Sequence, residues 1–379
     1  MQVLNGLKML MWTLAVFCYY FQVPFMQFAP FITISLGAFL ILDIKKAFKI
    51  FCAFKSASFY FVIILLCLLN LCGSVINGVE WSNAVRFFFI LALLPLCSFY
   101  GDGMSNRLYK IFAFFSFCKA VMLIIIAIQL ISSGSYTELR AWARLNDYGD
   151  IYTAYGFIPK VQLKGNALLV VAFMISFLKN KKFTFYNSVV LLGVLSAGNF
   201  AFFLGVFLFL SWMYVKTVDI HHITLKNACV GMCILLTVIT FSMYSMSESE
   251  GKSGYFGSNG MRILQYKALT DTNIFLGSGL GAPVYGASRL GRSIYAQYYE
   301  LQPLYIYYQI GVILLLMFYI IMFQTMKKTS STDGFIVFAI YLFYSFFNPY
   351  CFDTTQMMTM MMISNQFPRM DDGAVLKNT

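Results

Sequence analysis

Apolar runs of about 15–22 residues, one after another and almost free of charge, constrain this chain more than any other feature. A helix of about 20 apolar residues crosses the hydrocarbon of a bilayer. The runs are continuous rather than alternating, which argues against a β-barrel. Charged residues make up only 11% of the 379, where a soluble domain carries about 25%. The expected fold is all-α: a polytopic transmembrane helical bundle of about twelve spans, forming a single integral membrane domain over 1–379.

The spans are expected near 9–26, 28–44, 57–73, 86–100, 111–132, 165–178, 184–197, 200–215, 226–246, 302–325, 334–350 and 354–367. The last is the weakest and could instead lie along the membrane or re-enter. The first run lacks a small-residue cleavage site and leads straight into a second, so it is expected to stay as a span.

The net charge of +12 is not a nucleic-acid signal, because lysine and arginine collect in the short cytoplasmic loops of such proteins. With the N-terminus inside, the inner segments hold Lys8, Lys45, Lys46, Lys49, Lys55, Arg107, Lys110, Lys179, Lys181, Lys182, Lys216, Lys226, Lys327, Lys328, Arg369 and Lys377. The outer segments hold Arg86, Arg140, Arg144, Lys160, Lys164, Lys252, Arg262, Lys267, Arg289 and Arg292. The inner set is larger, which puts both termini in the cytoplasm. It is mostly lysine, whereas the outer set is richer in arginine. Arginine presents a planar fork that matches phosphate. Topology does not call for outer arginines, so an anionic ligand on that side is the natural explanation.

Two outer loops are long, 133–164 and 247–301. In the first, Arg140 and Arg144 are four apart in Glu138-Leu139-Arg140-Ala141-Trp142-Ala143-Arg144, so a helix puts them on one face. In the second, Ser258–Leu269 reads as a short amphipathic helix capped by Ser258 or Asn259, with Arg262 in its first turn and Lys267 further along. Its plainer reading is an interfacial helix with solvated charges. Gly277, Gly279 and Gly281 let the backbone turn sharply and approach a ligand closely, although they form no dinucleotide fingerprint. Arg289 and Arg292 either clamp a diphosphate or are solvated loop charges. Glu300 stands at the edge of the tenth span beside Tyr298 and Tyr299. Partial desolvation there suits a carboxylate to accept a proton from a sugar hydroxyl; the alternative is an interfacial glutamate paired with an arginine.

Lys119 is the one lysine placed well inside a span. It is either a functional group or a side chain that snorkels to the inner surface. The cysteines lie mostly in apolar runs and read as small hydrophobes. The run Met357-Met358-Thr359-Met360-Met361-Met362 reads as a packing surface rather than a metal site.

Arg262, then Gly277-x-Gly279-x-Gly281, then Glu300-x-x-x-Leu304, then Gly311 resembles the pattern of the O-antigen polymerase and ligase superfamily. Leu195-Ser196-Ala197-Gly198-Asn199 is similar to that family's Ser-Arg motif after a short span, and Asn348-Pro349 to its late Asn-Pro pair. The resemblance covers roughly 185–350. It departs from the family in two ways. The ligases usually carry a histidine where Glu300 stands, and the two histidines here, His221 and His222, fall in an inner loop. The arginine of the Ser-Arg motif is absent.

The resemblance implies a GT-C-like polymerase of the bacterial inner membrane that acts at the periplasmic face. Donor and acceptor would be glycans on undecaprenyl diphosphate. Glu300 would be the general base, and Arg140, Arg144, Arg262, Lys267, Arg289 and Arg292 would bind diphosphate and substrate, with no metal and no cofactor. A chain-length regulator would be a partner, alongside membrane lipid; nucleic acid would not. The competing readings are an O-antigen ligase that transfers glycan to lipid A core, and a lipid-linked oligosaccharide flippase. A flippase should place its charges within the spans and show a repeat between halves.

Overall fold

A computed structural model describes residues 2–22, 29–52, 56–100, 104–133, 136–146, 148–154, 158–217, 266–267, 269, 275–287, 293–296, 302–346, 348 and 350–369. Helices occupy eleven of the twelve expected segments: α1 (Gln2–Tyr20), α2 (Ala29–Cys52), α3 (Ala57–Ile76), α4 (Trp81–Leu93), α5 (Ser105–Ser133), α7 (Leu168–Asn180), α8 (Phe185–Ala197), α9 (Phe200–Thr217), α10 (Gln302–Thr329), α11 (Thr332–Phe346) and α12 (Thr354–Gln366). Segment 226–246 lies outside the described residues. A 3-10 turn, Leu94–Phe99, extends α4. Among the described residues, five helical stretches are long and apolar enough to cross a membrane: Gln2–Tyr20, Ala57–Ile76, Trp81–Phe99, Ser105–Ser132 and Gln302–Thr329.

The bundle is all-α as expected, and two short hairpins lie in its long loops. The loop 133–164 folds as helix α6 (Tyr136–Leu145) and an antiparallel hairpin, β1 (Gly149–Ala154) with β2 (Ile158–Leu163). A second hairpin, β3 (Val284–Ala287) with β4 (Ser293–Ala296), rises from the loop 247–301. Hairpins suit these loops because strands outside the hydrocarbon can leave their edges to water.

Contacts sort the bundle into two ends. At the lysine-rich end, Lys8 pairs with Asp43 at 2.5 Å, Lys179 Nζ donates to Gln366 Oε1 at 2.6 Å, and Ser105 Oγ donates to the Asn365 carbonyl at 2.8 Å. The other end gathers Tyr19, Asn70, Ser74, Lys160–Asn166, Gly198–Asn199, Gly277–Ala282, Asn348 and Tyr350–Asp353.

Helix lengths shape that opposite end. Helix α5 has 29 residues with no proline or glycine and runs about 43 Å at 1.5 Å per residue. Helices α7, α8 and α12 have 13 residues each, about 20 Å, less than the roughly 30 Å of hydrocarbon. Lys119 shows where the shortfall lies. It sits midway along α5, is 0% exposed, and donates from Nζ to the carbonyl of Lys164 at 3.0 Å. The corner that opens α7 is therefore set at mid-height of α5, below that helix's far end. Lys119 does not snorkel.

The Met run behaves as a packing surface. Met357, Met358, Met360, Met361 and Met362 are all buried, and α12 contacts α5, α7, α10 and α11. Cys18, Cys67 and Cys97 are buried free thiols.

Candidate functional site

The glycine cluster is seated on a break in a helix. Helix α10 is interrupted at Gly311, with φ 75° and ψ 173°, a conformation that only glycine adopts readily. The break frees the carbonyls of Tyr308 and Gln309. They accept instead from the N–H groups of Ser278 (2.7 Å) and Gly279 (2.9 Å). Two side chains complete the seat. Asn70 Oδ1 accepts from Leu280 N at 2.8 Å, and Gln309 Oε1 accepts from Gly281 N at 2.9 Å. A Cβ on Gly277 would come 2.5 Å from the Gln309 backbone, and one on Gly311 2.1 Å from the Phe275 carbonyl. The glycines allow close approach, as expected from sequence, but what approaches is the protein's own helix. The N–H groups of 278–281 are all taken by protein acceptors, so this loop is a joint rather than a phosphate cradle.

Three helices begin close together at the same end. The Tyr344 hydroxyl donates to the carbonyl of Ala167, just before α7, at 3.1 Å. The Tyr19 hydroxyl meets the backbone of Leu168 at the start of α7 and the side chain of Thr355 on α12. Asn199 opens α9, its Oδ1 accepting from Ala201 N at 3.0 Å, while its Nδ2 reaches Asn348 Oδ1 at 3.3 Å. Asp353 caps α12, accepting from Gln356 N at 3.1 Å and Thr355 Oγ1 at 2.7 Å. The N-termini of α7, α9 and α12 thus face one region, where their partial positive charge favours anions.

Asp353 is the titratable group at the centre of this region. Tyr19, Tyr341, Tyr344 and Cys351 lie in its electrostatic surroundings. Burial pushes its carboxyl up to about 7; the hydrogen bonds from Thr355 and Gln356 and the charge of Arg86 pull the other way. Asp353 as a residue is half-buried, and protein surrounds its carboxylate closely.

Among the residues singled out from sequence, Arg140 and Arg144 are brought together on α6, as their spacing implies. Both forks close on one carboxylate, Asp150 of β1. Arg140 Nε and Nη2 donate at 2.8 and 3.1 Å, Arg144 Nε and Nη2 at 3.2 and 2.8 Å. Arg140 also stacks over Tyr152, 5.3 Å from the ring centre. Burial alone would raise the Asp150 carboxyl, but the two guanidiniums outweigh it and hold it below the usual carboxylate range. Lys267 is helical and exposed. Arg262, Arg289, Arg292 and Glu300 lie outside the described residues; hairpin β3–β4 brackets the two arginines, and Glu300 falls between β4 and α10. Among the described residues no group of His, Cys, Asp and Glu has the makings of a metal site.

Sequence reasoning passed over Asp150, Arg86 as a site residue, and Asp353. A signal existed for the last: an acidic residue immediately before an apolar run is both a helix cap and a rare charge at a membrane edge. Comparison with protein-family models, with curated proteins and with solved structures finds no match.

Proposed function

We propose that this protein is a glycosyltransferase of the O-antigen polymerase type. It joins oligosaccharide repeat units carried on undecaprenyl diphosphate, at the periplasmic face of a bacterial inner membrane, with both termini cytoplasmic. The observation that supports this reading is convergence. The motif segments 195–199, 277–281, 311 and 348, far apart in sequence, meet at the one end of the bundle that also carries both long loops. They form a continuous path. Gly281 packs on Asn83 and Ala84 of α4; Arg86, two residues on, acts on Asp353; Asn348, just before Asp353 in the chain, meets Asn199.

The chemistry needs little machinery. An acceptor hydroxyl gives its proton to a general base, and its oxygen bonds to the donor's anomeric carbon. The bond from that carbon to the diphosphate breaks, and undecaprenyl diphosphate leaves with the electron pair. Glu300 is the candidate base. Arg262, Lys267, Arg289 and Arg292 bind the diphosphate and stabilise the charge that develops on it. Arg140 and Arg144 join them with the surplus positive charge that Asp150 leaves. A chain-length regulator is the partner such an enzyme takes.

A second reading, a lipid-linked oligosaccharide flippase, draws on the interrupted helix α10 and the buried Lys119, since broken helices and intramembrane charges are transporter features.

Complementation of a polymerase-deficient strain that makes the matching repeat unit separates these readings. Wild type is expected to restore a lipopolysaccharide ladder, and Glu300→Gln, Arg262→Ala and Arg289→Ala to leave core capped by a single unit at equal membrane levels. Core without any unit, even with wild type, points to the flippase or to ligation. An intact ladder with Glu300→Gln removes Glu300 as the base.

A further inference from the structure

Helix α6 is tied back towards the middle of α5. Helix α5 ends at Ser133, about 21 Å beyond Lys119 at 1.5 Å per residue, and α6 begins at Tyr136. The far end of α6 returns to Lys119 through hydrogen bonds in series. Tyr148 N donates to the Ala143 carbonyl at 2.8 Å and Lys164 N to the Tyr148 carbonyl at 3.0 Å; Lys119 Nζ donates to the Lys164 carbonyl at 3.0 Å. On the other side of Lys119, Lys110 and Arg107 lie about 14 and 18 Å down α5. That is close to half of a hydrocarbon layer of about 30 Å, which puts Lys119 near the midplane. Helix α6 therefore folds back into the height range of the leaflet away from the lysine-rich end. At that height Ile125, Ile128 and Ile131 form an exposed apolar stripe on α5, a surface that acyl chains cover.

The surface of α6 is divided to match. One side turns inward: Ala143 is buried, and Arg140 and Arg144 close on Asp150 of the hairpin. The outward side is polar at the end beside α5, where Thr137 and Glu138 are exposed. Towards the other end it is apolar: Trp142 is 41% exposed and Leu145 86%, and a spacing of three puts them on one face. A helix end in hydrocarbon needs its last carbonyls satisfied by protein. Asn146 donates to the Trp142 carbonyl from N at 3.2 Å and from Nδ2 at 2.8 Å, and Tyr148 N takes the Ala143 carbonyl. The Trp142 ring rests on buried Tyr148, their centroids 4.9 Å apart. We propose that α6 is a re-entrant helix whose Trp142–Leu145 face docks among the phospholipid acyl chains of that leaflet, with Glu138 at headgroup level. Helix α6 then stands as a wall between lipid and the hairpin β1–β2 behind it. This goes beyond the polymerase reading and does not depend on it.

The test uses the full-length protein in nanodiscs of phosphatidylcholine, either plain or with bromine on the acyl chains, which quenches indole emission on contact. The emission of Trp142 is the difference between wild type and Trp142→Phe, a variant that keeps an aromatic ring against Tyr148. That difference is expected to be present in plain lipid, to be lost in brominated lipid, and to survive acrylamide added to the water. A difference that acrylamide removes and brominated lipid leaves intact places the face in water and overturns the proposal. A difference that neither quencher touches places it against protein and overturns it too. A photo-crosslinking benzoylphenylalanine in place of Leu145 reads the same face without altering the tryptophan, at a position exposed enough to accept it. Illumination is expected to give adducts of phospholipid mass. Crosslinking to a second copy of the chain, or no lipid adduct at all, overturns the docking.

Discussion

The side-chain amides of Asn199 and Asn348 meet at 3.3 Å across 149 residues of chain. This contact ties the tip between α8 and α9 to the connection between α11 and α12, and so closes the end of the bundle at which we place the substrate. Asn199 also opens α9 through its Oδ1. Asn199→Ala is therefore expected to cost about 1–2 kcal/mol, from a lost cap and a lost hydrogen bond. Asn199→Asp keeps the capping acceptor but loses the Nδ2 donor to Asn348, so it should lie between wild type and Asn199→Ala. Melting in detergent checks both; equal melting of Asn199→Ala and wild type would show that the contact contributes nothing.

The seat of the glycine loop on α10 makes a sharper prediction. Gly311→Ala and Gly277→Ala each force a Cβ to within 2.1 and 2.5 Å of backbone atoms. Strain at the positive φ adds about 1–3 kcal/mol. Neither variant should yield monodisperse protein on size-exclusion chromatography. Gly37→Ala, with nothing within 4 Å of its Cβ, should be neutral or gain about 0.5–1 kcal/mol in helix α2.

Asp150 holds α6 to β1 through two arginines. Its folded pKa lies below the ordinary carboxylate value. The contact is thus complete above about pH 3.9 and is lost as pH falls through the lower folded value. Hydrogen exchange of residues 136–154 should stay slow from neutral pH to about 4 and quicken only below. Asp150→Asn should show the quickened exchange already at pH 7. Arg140→Ala and Arg144→Ala should be non-additive, because they share one carboxylate.

Lys119 fixes the height of the α7 corner by one hydrogen bond to a carbonyl. Lys119→Met removes a buried charge and fits a similar volume, so the protein should still fold, as often happens when buried charges are replaced by hydrophobes. Exchange at 164–168 should nevertheless quicken, since the corner has lost its pin. Lys119→Glu sets a carboxylate against that carbonyl and should sharply reduce the yield of folded protein in the membrane.

The glycine spacing at 277–281 was visible in the sequence, but its partner was not. A glycine-x-glycine run says that something comes close; only the interruption at Gly311 and the freed carbonyls of Tyr308 and Gln309 say what. Arg140 and Arg144 were correctly assigned to one helix face, because four-residue spacing is a local property. That both forks grip Asp150 depends on how β1 returns past α6, which no spacing encodes. Asp353 was passed over for the same reason: beside a methionine run it reads as a cap, and the approach of Arg86 comes from a helix more than 260 residues earlier in the chain.

The sequence by itself determined that this chain is a helical membrane bundle, where most of its helices lie, and that its arginines collect in the long loops. Those are consequences of run length and local charge, which each segment carries independently of the others. Only the tertiary structure decided that the short helices α7, α8 and α12 stop below the far end of α5, that α10 breaks to seat the glycine loop, and that the charge of Arg86 acts on Asp353. These depend on which helices become neighbours and at what height. That is settled by packing and by buried polar groups finding partners across the bundle, over separations of dozens to hundreds of residues.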